Sequence, residues 1–295
     1  MAEVEVDIDI SDEMRQKLDE SWNKAGISND FIFAKVMQDE HLLAELVHTI
    51  LPDISFSKLV IQSQKAVETG MDTHGVRFDI FALDDIGRAI EIEMQVLNRG
   101  NLPRRMRFYG SLVDSSMLEK GALYSTLKDS YVIMICPFDQ YKLGLHRYTF
   151  TNRCRENLEL EMGDGTTKIV LNADSTADDV SPKLHAFLDY VAGRSSADEL
   201  VEKLEKAVKK AKANKIWRKE YMTLEMRDLE NQEIGKEIGK EIGKEIGKAL
   251  GKKDMVRNML VDGKTPDEIV RFCGISIDLV REVQDELLIE NAGLK

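Results

Sequence analysis

The stretch over residues 76–95, VRFDIFALDDIGRAIEIEMQ, constrains the fold more than any other part of the chain. Apolar side chains recur at every second position on both sides of residues 84–87, and a period of two is typical of β-strands with one buried face. Residues 84–87, DDIG, have the composition of a tight turn in which Gly87 adopts a positive φ. The sequence therefore predicts a β-hairpin.

The predicted hairpin brings two carboxylates together. A turn centred on Ile86 places Asp79 opposite Glu93, where directly opposed Cβ atoms lie about 4.5–5.5 Å apart. Carboxylates at this distance repel each other unless a cation or a proton lies between them. Mg²⁺ is held by one or two carboxylates with water and substrate phosphate. Gln95 shares the face of Glu93 and could orient water or a phosphate oxygen, so the hairpin predicts a metal-dependent phosphodiester site.

A second interpretation of the same face needs no metal. Antiparallel hairpins commonly carry acidic side chains on a solvated face, and Asp79 and Glu93 fit that pattern. The crowding of Asp79, Glu91, Glu93 and Gln95 on one face, with few cations among them, favours the metal site.

The hairpin resembles the PD-(D/E)XK nuclease superfamily, in particular its recombination-promoting nuclease and transposase-like branch. That branch has Asp on one strand and Ile-Glu-Met-Gln on the next, with Gln where the superfamily usually has Lys, as in Asp79 and residues 92–95 here. Further similar segments are NDFIF at 29–33, ILP at 50–52, Arg105-x-x-x-Tyr109 and GxxYxxL at 121–127. The resemblance spans about residues 28–139. Ala34 departs from the usual Phe-Lys of the family, although Lys35 follows directly.

The resemblance implies an α/β fold of the restriction-endonuclease type, with a mixed sheet flanked by helices. It implies a DNA endonuclease that uses Mg²⁺ or Mn²⁺ and acts in recombination, mobile-element or defence processes. Asp79 and Glu93 would hold the metal and Gln95 would orient the attacking water or the phosphate, while Arg105 and Tyr109 would clamp the DNA backbone. Because Gln95 replaces a Lys, a positive charge is lost from the transition state, which implies weak activity or dependence on a partner.

Two predicted helices flank the hairpin in sequence. Asp30 lies in the first turn of a helix predicted over residues 30–51, where a carboxylate complements the helix N-terminus; the resemblance instead implies an additional acidic site residue. Pro103 suits the first turn of the other helix. Arg105 and Tyr109 are four residues apart and share a face of it, and an arginine fork suits phosphate. Arg104 and Arg107 fit a solvated basic face equally well.

Composition limits the classes of protein. With 295 residues, of which 43% are hydrophobic, the chain can bury one substantial core plus an appendage. A net charge of −12 opposes nonspecific DNA affinity, so DNA binding would depend on local basic patches. Three cysteines without metal-type spacing argue against a disulfide framework. The acidic start and the lack of a long apolar run predict a cytoplasmic protein with no membrane segment.

The chain is predicted to have five parts. These are an N-terminal extension (1–27), a nuclease-like core (28–193), a long charged helix (194–232), an EIGK repeat tether (233–253) and a small helical module (254–295). Within the core, strands are predicted at 58–64, 130–137, 147–152 and 167–172, and the second of these, SYVIMICP, should be buried on both faces. The lysines of the charged helix fit a solvated helix face or a DNA contact.

The last two parts raise the question of partners. Glu-Ile-Gly-Lys occurs four times from Glu233, and each interior Gly costs about 1 kcal/mol relative to Ala, so the sequence predicts a flexible tether or a helix that forms only against a partner. The capping box of Thr265 and Glu268, with Pro266 at the first helical position, begins a module that resembles helix-turn-helix proteins. Its five Lys and Arg against nine Asp and Glu favour homo-oligomerisation over DNA reading.

Three functions therefore remain open from the sequence. The first is the metal-dependent endonuclease. The second is a catalytically weak or inactive nuclease fold that acts as a binding or oligomerisation module. The third is a DNA-binding regulator that acts through the C-terminal module and would survive loss of Asp79.

Overall fold

The computed structural model describes residues 12–62, 66–67, 76–291 and 293. It has two compact units, Met1–Met222 and Thr223–Lys295. The first eleven residues of the predicted N-terminal extension and residues 63–64 of the first predicted strand lie outside the described residues.

A mixed six-stranded sheet forms the centre of the first unit. Its order is β1–β4–β5–β6–β8–β7. The strands are β1 (Leu59–Ile61), β4 (Ile80–Asp84), β5 (Ala89–Met94), β6 (Ser130–Cys136), β7 (Arg147–Phe150) and β8 (Thr166–Asn172), and a separate pair is formed by β2 (Ala66–Val67) and β3 (Val76–Arg77). The β5–β6 and β6–β8 pairs are parallel, whereas the other pairs are antiparallel. The predicted α/β class with a mixed sheet is confirmed.

The β4–β5 hairpin has the predicted register, with Ile80 opposite Ile92, and Gly87 in its turn has a φ of 85°. The first strand of the predicted hairpin, however, is interrupted between β3 and β4. Phe78 packs against Phe81 and Tyr109, on the face opposite to the one expected from its alternation with Ile80. The interruption is a bend at Asp79, whose N–H bonds a side chain rather than a strand partner.

Helices cover both faces of the sheet. Those of the first unit are α1 (Asp12–Lys24), α2 (Asp30–Val36), α3 (Glu40–Ile50), α4 (Leu102–Met117), α5 (Pro182–Val191) and α6 (Glu199–Ala213), with a short 3-10 helix at Tyr124–Thr126. Two predicted helices are each divided in the structure. The helix predicted over 30–51 becomes α2 and α3 because Asp39 caps a new helix. The long charged helix is broken at Asn214, whose side chain accepts the N–H groups of Ile216 and Trp217 and starts the next helix.

The sheet has a separate apolar core on each face. Ile80, Ile90 and Ile92 point into the larger core with α2, α3, α5 and α6, whereas Phe81 and Val132 point into the smaller core beneath α4. Every residue of β5 is buried. The strand that carries the predicted site is therefore covered on both sides.

The second unit is helical. Helix α7 (Lys215–Val261) runs from the first unit into it, and α8 (Pro266–Cys273) and α9 (Ile277–Asn291) follow. The predicted capping box of Thr265 is present, and Gly274 ends α8 with a φ of 63°. The EIGK repeat is continuous helix within α7, which is the second of the two forms expected for it. In the described residues, no helix is both long enough and apolar enough to cross a membrane.

Candidate active site

Asp79 and Glu93 lie side by side at the end of the hairpin. The N–H of Asp79 donates to Glu93 Oε1 at 2.9 Å, and the N–H of Met94 donates to Asp79 Oδ2 at 3.1 Å. These two bonds from backbone N–H groups to side chains take the place of a regular strand pairing at the bend. The hairpin thus brings together the two carboxylates that the sequence predicts to face each other.

The acidic face of β5 is buried, so its interpretation as a solvated face is wrong. Glu91, Glu93 and Gln95 are 0%, 2% and 8% exposed. Alternation in the sequence shows that two faces exist, but it cannot show that α4 lies over the second one. Helix α4 packs on the neighbouring strand β6, and its apolar side chains form the core on this side of the sheet.

Arg105 of α4 points inward to this acidic face. Its Nη2 donates to Glu93 Oε2 at 2.9 Å, and its Nη1 donates to Gln95 Oε1. Its Nε and Nη2 also donate to the hydroxyl of Tyr109, at 3.0 and 2.6 Å. Gln95 is held at its other end, where Nε2 donates to the carbonyl of Leu97 at 2.6 Å. Arg105 and Tyr109 therefore share a face as predicted, but the guanidinium contacts carboxylate and amide oxygens of the site itself.

The site disfavours additional negative charge. Burial and then the charge of Glu93 raise the pKa of Asp79 to about 8, although the Met94 N–H and Arg105 act in the opposite direction. Burial also raises the pKa of Glu93. The pKa of Tyr109 is raised by burial and by Glu93. A group of carboxyls with raised pKa values in a partly enclosed position is typical of functional sites.

Asp30 belongs electrostatically to the same group. Its charge contributes to raising the pKa values of both Asp79 and Glu93, and α2, whose first residue it is, packs on β5. The cap of α2 is the side chain of Asn29, which accepts the N–H of Ile32 at 3.1 Å. The geometry is therefore compatible with both roles of Asp30, at the helix N-terminus and beside the site.

Glu91 is the residue of this site to which the sequence assigned no role. Neither of its carboxylate oxygens has a hydrogen-bond partner among the described residues. Burial and then Glu93 raise its pKa well above the ordinary value. The position of Glu91 two residues before Glu93 predicts that the two side chains share a face of the strand. The burial of Glu91 could not be predicted in the same way, because it depends on the packing of α4 over that face.

The oxygens present suit a hard divalent cation in their chemistry. Asp79 and Glu93 supply carboxylates and Gln95 an amide oxygen, and Asp79 Oδ1 accepts no hydrogen bond within the described part of the chain. Mg²⁺ and Mn²⁺ prefer such ligands. The described residues contain no group of three or more His, Cys, Asp or Glu already arranged around one metal position. The oxygen atoms of Asp79, Glu93 and Gln95 are thus suitable metal ligands in their chemistry, and Arg105 donates hydrogen bonds to two of these residues, Glu93 and Gln95.

Exposed cations flank Arg105 in sequence. Arg104 and Arg107 flank Arg105 in sequence and are both exposed, and Arg99 precedes the helix with its side chain also exposed. In a chain with a net charge of −12, a local basic patch of this kind is what contact with a phosphate backbone requires.

The comparison with protein families agrees with this geometry. The model described as PD-(D/E)XK nuclease family transposase matches residues 27–160. This range contains all the predicted site residues, namely Asp30, Asp79, Glu93, Gln95, Arg105 and Tyr109. A search of curated proteins and a search of solved structures found no match. The family model that matches residues 27–160 is therefore of the same family that the hairpin and its flanking segments resemble.

Proposed function

We propose that the protein is a cytoplasmic, Mg²⁺- or Mn²⁺-dependent DNA endonuclease that hydrolyses phosphodiester bonds in recombination, mobile-element or defence processes. The observation that carries this proposal is the placement of the Asp79 and Glu93 carboxylates at the end of the hairpin, where each accepts a backbone N–H, from Met94 and from Asp79 respectively. The family match over residues 27–160 supports the same class of activity.

Each residue of the site has a proposed role. Asp79 and Glu93 hold the divalent cation, with Asp30 as an additional acidic residue. When bound, such a cation supplies Lewis acidity to the phosphate and lowers the pKa of a bound water. Gln95 orients the attacking water or a phosphate oxygen, and Arg105 and Tyr109 contact the phosphate backbone.

Gln95 limits the rate in this proposal. A neutral amide stabilises a developing negative charge less than the ammonium group usual in the superfamily. The two hydrogen bonds that hold Gln95, from Arg105 and to the carbonyl of Leu97, fix its orientation. We therefore expect slow cleavage by the isolated protein, with faster cleavage in the presence of a partner.

A second candidate function is a nuclease fold of low activity that serves as a binding or homo-oligomerisation module. The contacts of Arg105 with Glu93 and Gln95 favour it, because a Glu93 that is already paired with an internal cation does not require a metal. The isoleucines of the EIGK repeat also favour it, since Ile234, Ile238, Ile242 and Ile246 are each 55% exposed on α7.

Cleavage of supercoiled plasmid with Mg²⁺ or Mn²⁺ tests the first proposal. We expect metal-dependent nicking by the wild type and a loss of at least about a hundredfold in Asp79→Asn and Glu93→Gln, as for groups that act directly in the transition state. Asp85→Asn is the matched control, because Asp85 is an exposed turn carboxylate of the same hairpin that bonds Ser57. Equal nicking by all four proteins would assign the activity to a contaminant, and no nicking would favour the second candidate.

A further inference from the structure

We propose that Arg105 is an internal cation that a divalent metal must displace from Glu93, so that binding of the metal releases the guanidinium to bind a DNA phosphate. This inference rests on the proposed function. It concerns the order of events at the site, in which Arg105 first holds the ligands and then contacts the substrate.

The hydrogen bonds show why the two cations compete. Both oxygens of Glu93 are already engaged, Oε1 by the N–H of Asp79 and Oε2 by Nη2 of Arg105 at 2.9 Å. The backbone bond to Oε1 is part of the hairpin, whereas the bond to Oε2 is made by a long side chain. A metal at Glu93 Oε2 would lie next to the guanidinium, and the repulsion between the two cations favours breaking the contact with Arg105. The amide oxygen of Gln95 is held by the same guanidinium.

The charges show why displacement is favourable. Asp79, Glu91 and Glu93 all interact with Arg105, and Asp30 acts on two of them. One guanidinium carries a single positive charge and cannot balance this group, whereas a divalent cation carries two. Replacement of the guanidinium by a doubly charged ion therefore lowers the repulsion among the ionised carboxylates.

The partial exposure of Arg105 indicates the direction in which its guanidinium would move when a metal displaces it. Its side chain is 35% exposed, against 3% for its partner Glu93, so the guanidinium already reaches solvent at one side. Helix α4 is anchored by Met106 and Tyr109, which are buried, so the side chain can move without the helix. Outside, the guanidinium would join the exposed Arg104 and Arg107, and arginine binds phosphate through its fork.

This exchange couples metal binding to DNA binding. Because coupling between two ligands is reciprocal, the metal should strengthen DNA binding, and bound DNA should strengthen metal binding by holding the released Arg105. Tyr109, whose hydroxyl accepts from both Nε and Nη2 of Arg105, is the contact that returns the guanidinium to the site.

Binding of Mn²⁺ to the full chain without DNA, measured by electron paramagnetic resonance, tests the competition. We expect Arg105→Met to bind Mn²⁺ about tenfold more tightly than the wild type, on the order of the loss of one partly exposed ion pair. Arg104→Met is the matched control, because it removes the same charge from an exposed position of α4. It should change the affinity by less than about threefold, as expected of a screened surface charge. Arg105→Lys, which keeps the charge but loses the fork, should lie between wild type and Arg105→Met.

Asp79→Asn separates failure of the inference from failure of the proposed function. Binding that is lost in Asp79→Asn but equal in the wild type and Arg105→Met would overturn the inference and leave the metal site in place. Binding that Asp79→Asn does not reduce, or its absence from every protein, would overturn both. Thermal unfolding of each variant identifies any variant that is not folded. If Arg105→Met is not folded, the comparison of Arg105→Lys with the wild type tests the inference instead.

The second arm measures DNA affinity with Ca²⁺ or with chelator, by fluorescence anisotropy of a labelled duplex. The wild type should bind DNA more tightly with Ca²⁺, and Arg105→Met should lose most of this gain while Arg104→Met keeps it. An equal gain in the two variants would show that the released guanidinium does not contact the phosphate.

Discussion

At the scale of single residues, the burial of the Glu91 carboxyl is unfavourable for the stability of the folded state. This side chain has no exposed surface, and neither of its oxygens has a partner among the described residues. A buried polar group without a hydrogen bond costs about 1–3 kcal/mol, and more when it is charged. Since Glu91 lies two residues before Glu93 on the same strand face, we attribute this cost to the proximity of the candidate site.

The raised pKa values of Glu91 and Asp79 predict how stability depends on pH. Each folded-state pKa lies above the value expected in the unfolded chain, and for Asp79 it rises from 3.8 to about 8. The folded state therefore holds protons that the unfolded state releases, so the free energy of unfolding decreases as the pH rises. The stabilisation is fully present below pH about 4 and is lost between pH about 4 and 8. Denaturation by urea in the presence of chelator, followed by tryptophan fluorescence, measures this decrease.

Glu91→Gln should remove part of this dependence on pH. A neutral amide can donate to Glu93 and carries no charge to bury, so we expect the variant to be about 1–3 kcal/mol more stable than the wild type at pH 8. At pH 5 the difference should be smaller. Glu159→Gln, in an exposed loop, is the control. A variant that loses stability at pH 8 would show that Glu91 has a partner that favours its charged form.

At the scale of elements, α7 shows how a local rule can fail. Five glycines at a spacing of four residues oppose a helix, yet the structure has continuous helix from Lys215 to Val261. Pairs of Glu and Lys three residues apart, such as Glu245 and Lys248 at 2.7 Å, return only part of this cost. A Cβ added at any of the interior glycines would meet no neighbouring atom within 4 Å. Close packing therefore does not require glycine at these positions.

The repeat helix should therefore gain stability when a glycine becomes alanine. Gly239→Ala and Gly243→Ala should each stabilise the helix by about 1 kcal/mol. We expect slower amide hydrogen exchange over residues 233–253 of the full chain. Gly263→Ala is the control. A Cβ added at Gly263 would also meet no atom within 4 Å, but the φ of Gly263 is +81°. This variant should therefore destabilise the turn at residue 263 by about 1 kcal/mol. Unchanged exchange in the first two variants would show that another contact already holds the helix.

Which elements the sequence could predict depends on the range of the interactions that form them. The turn and alternation around Ile86 were enough to predict the pairing of β4 with β5, and the capping box at Thr265 was enough to predict the start of α8. The order of the strands was not accessible, because it depends on parallel pairings between distant segments. The inward direction of Arg105 was not accessible either, since helical spacing places it beside Tyr109 but cannot show what α4 covers.

At the scale of the whole molecule, charge and exposed apolar surface suggest different partners for the two units. In the second unit, Lys253 and Arg257 pair with carboxylates of α9. These contacts compete with phosphate for the cations of a DNA-reading module and weigh against the regulator hypothesis. The first unit instead carries exposed arginines on α4, the helix whose Arg105 contacts the buried Glu93. We therefore expect DNA to bind the first unit and a second copy of the chain to bind the C-terminal helical region.

Homo-oligomerisation through the EIGK repeat is the prediction that follows for the whole molecule. A stripe of isoleucines, each 55% exposed, is flanked by one Glu and one Lys in every repeat, so a second identical helix can cover the apolar stripe. Light scattering of the full chain should show a dimer or larger species. Ile238→Glu with Ile242→Glu should shift it toward the monomer by about a hundredfold in dissociation constant, as expected for the loss of two apolar contacts. Lys240→Gln with Lys244→Gln changes the net charge equally and should leave the assembly intact, whereas dissociation in both pairs of variants would point to charge rather than the apolar stripe as its cause.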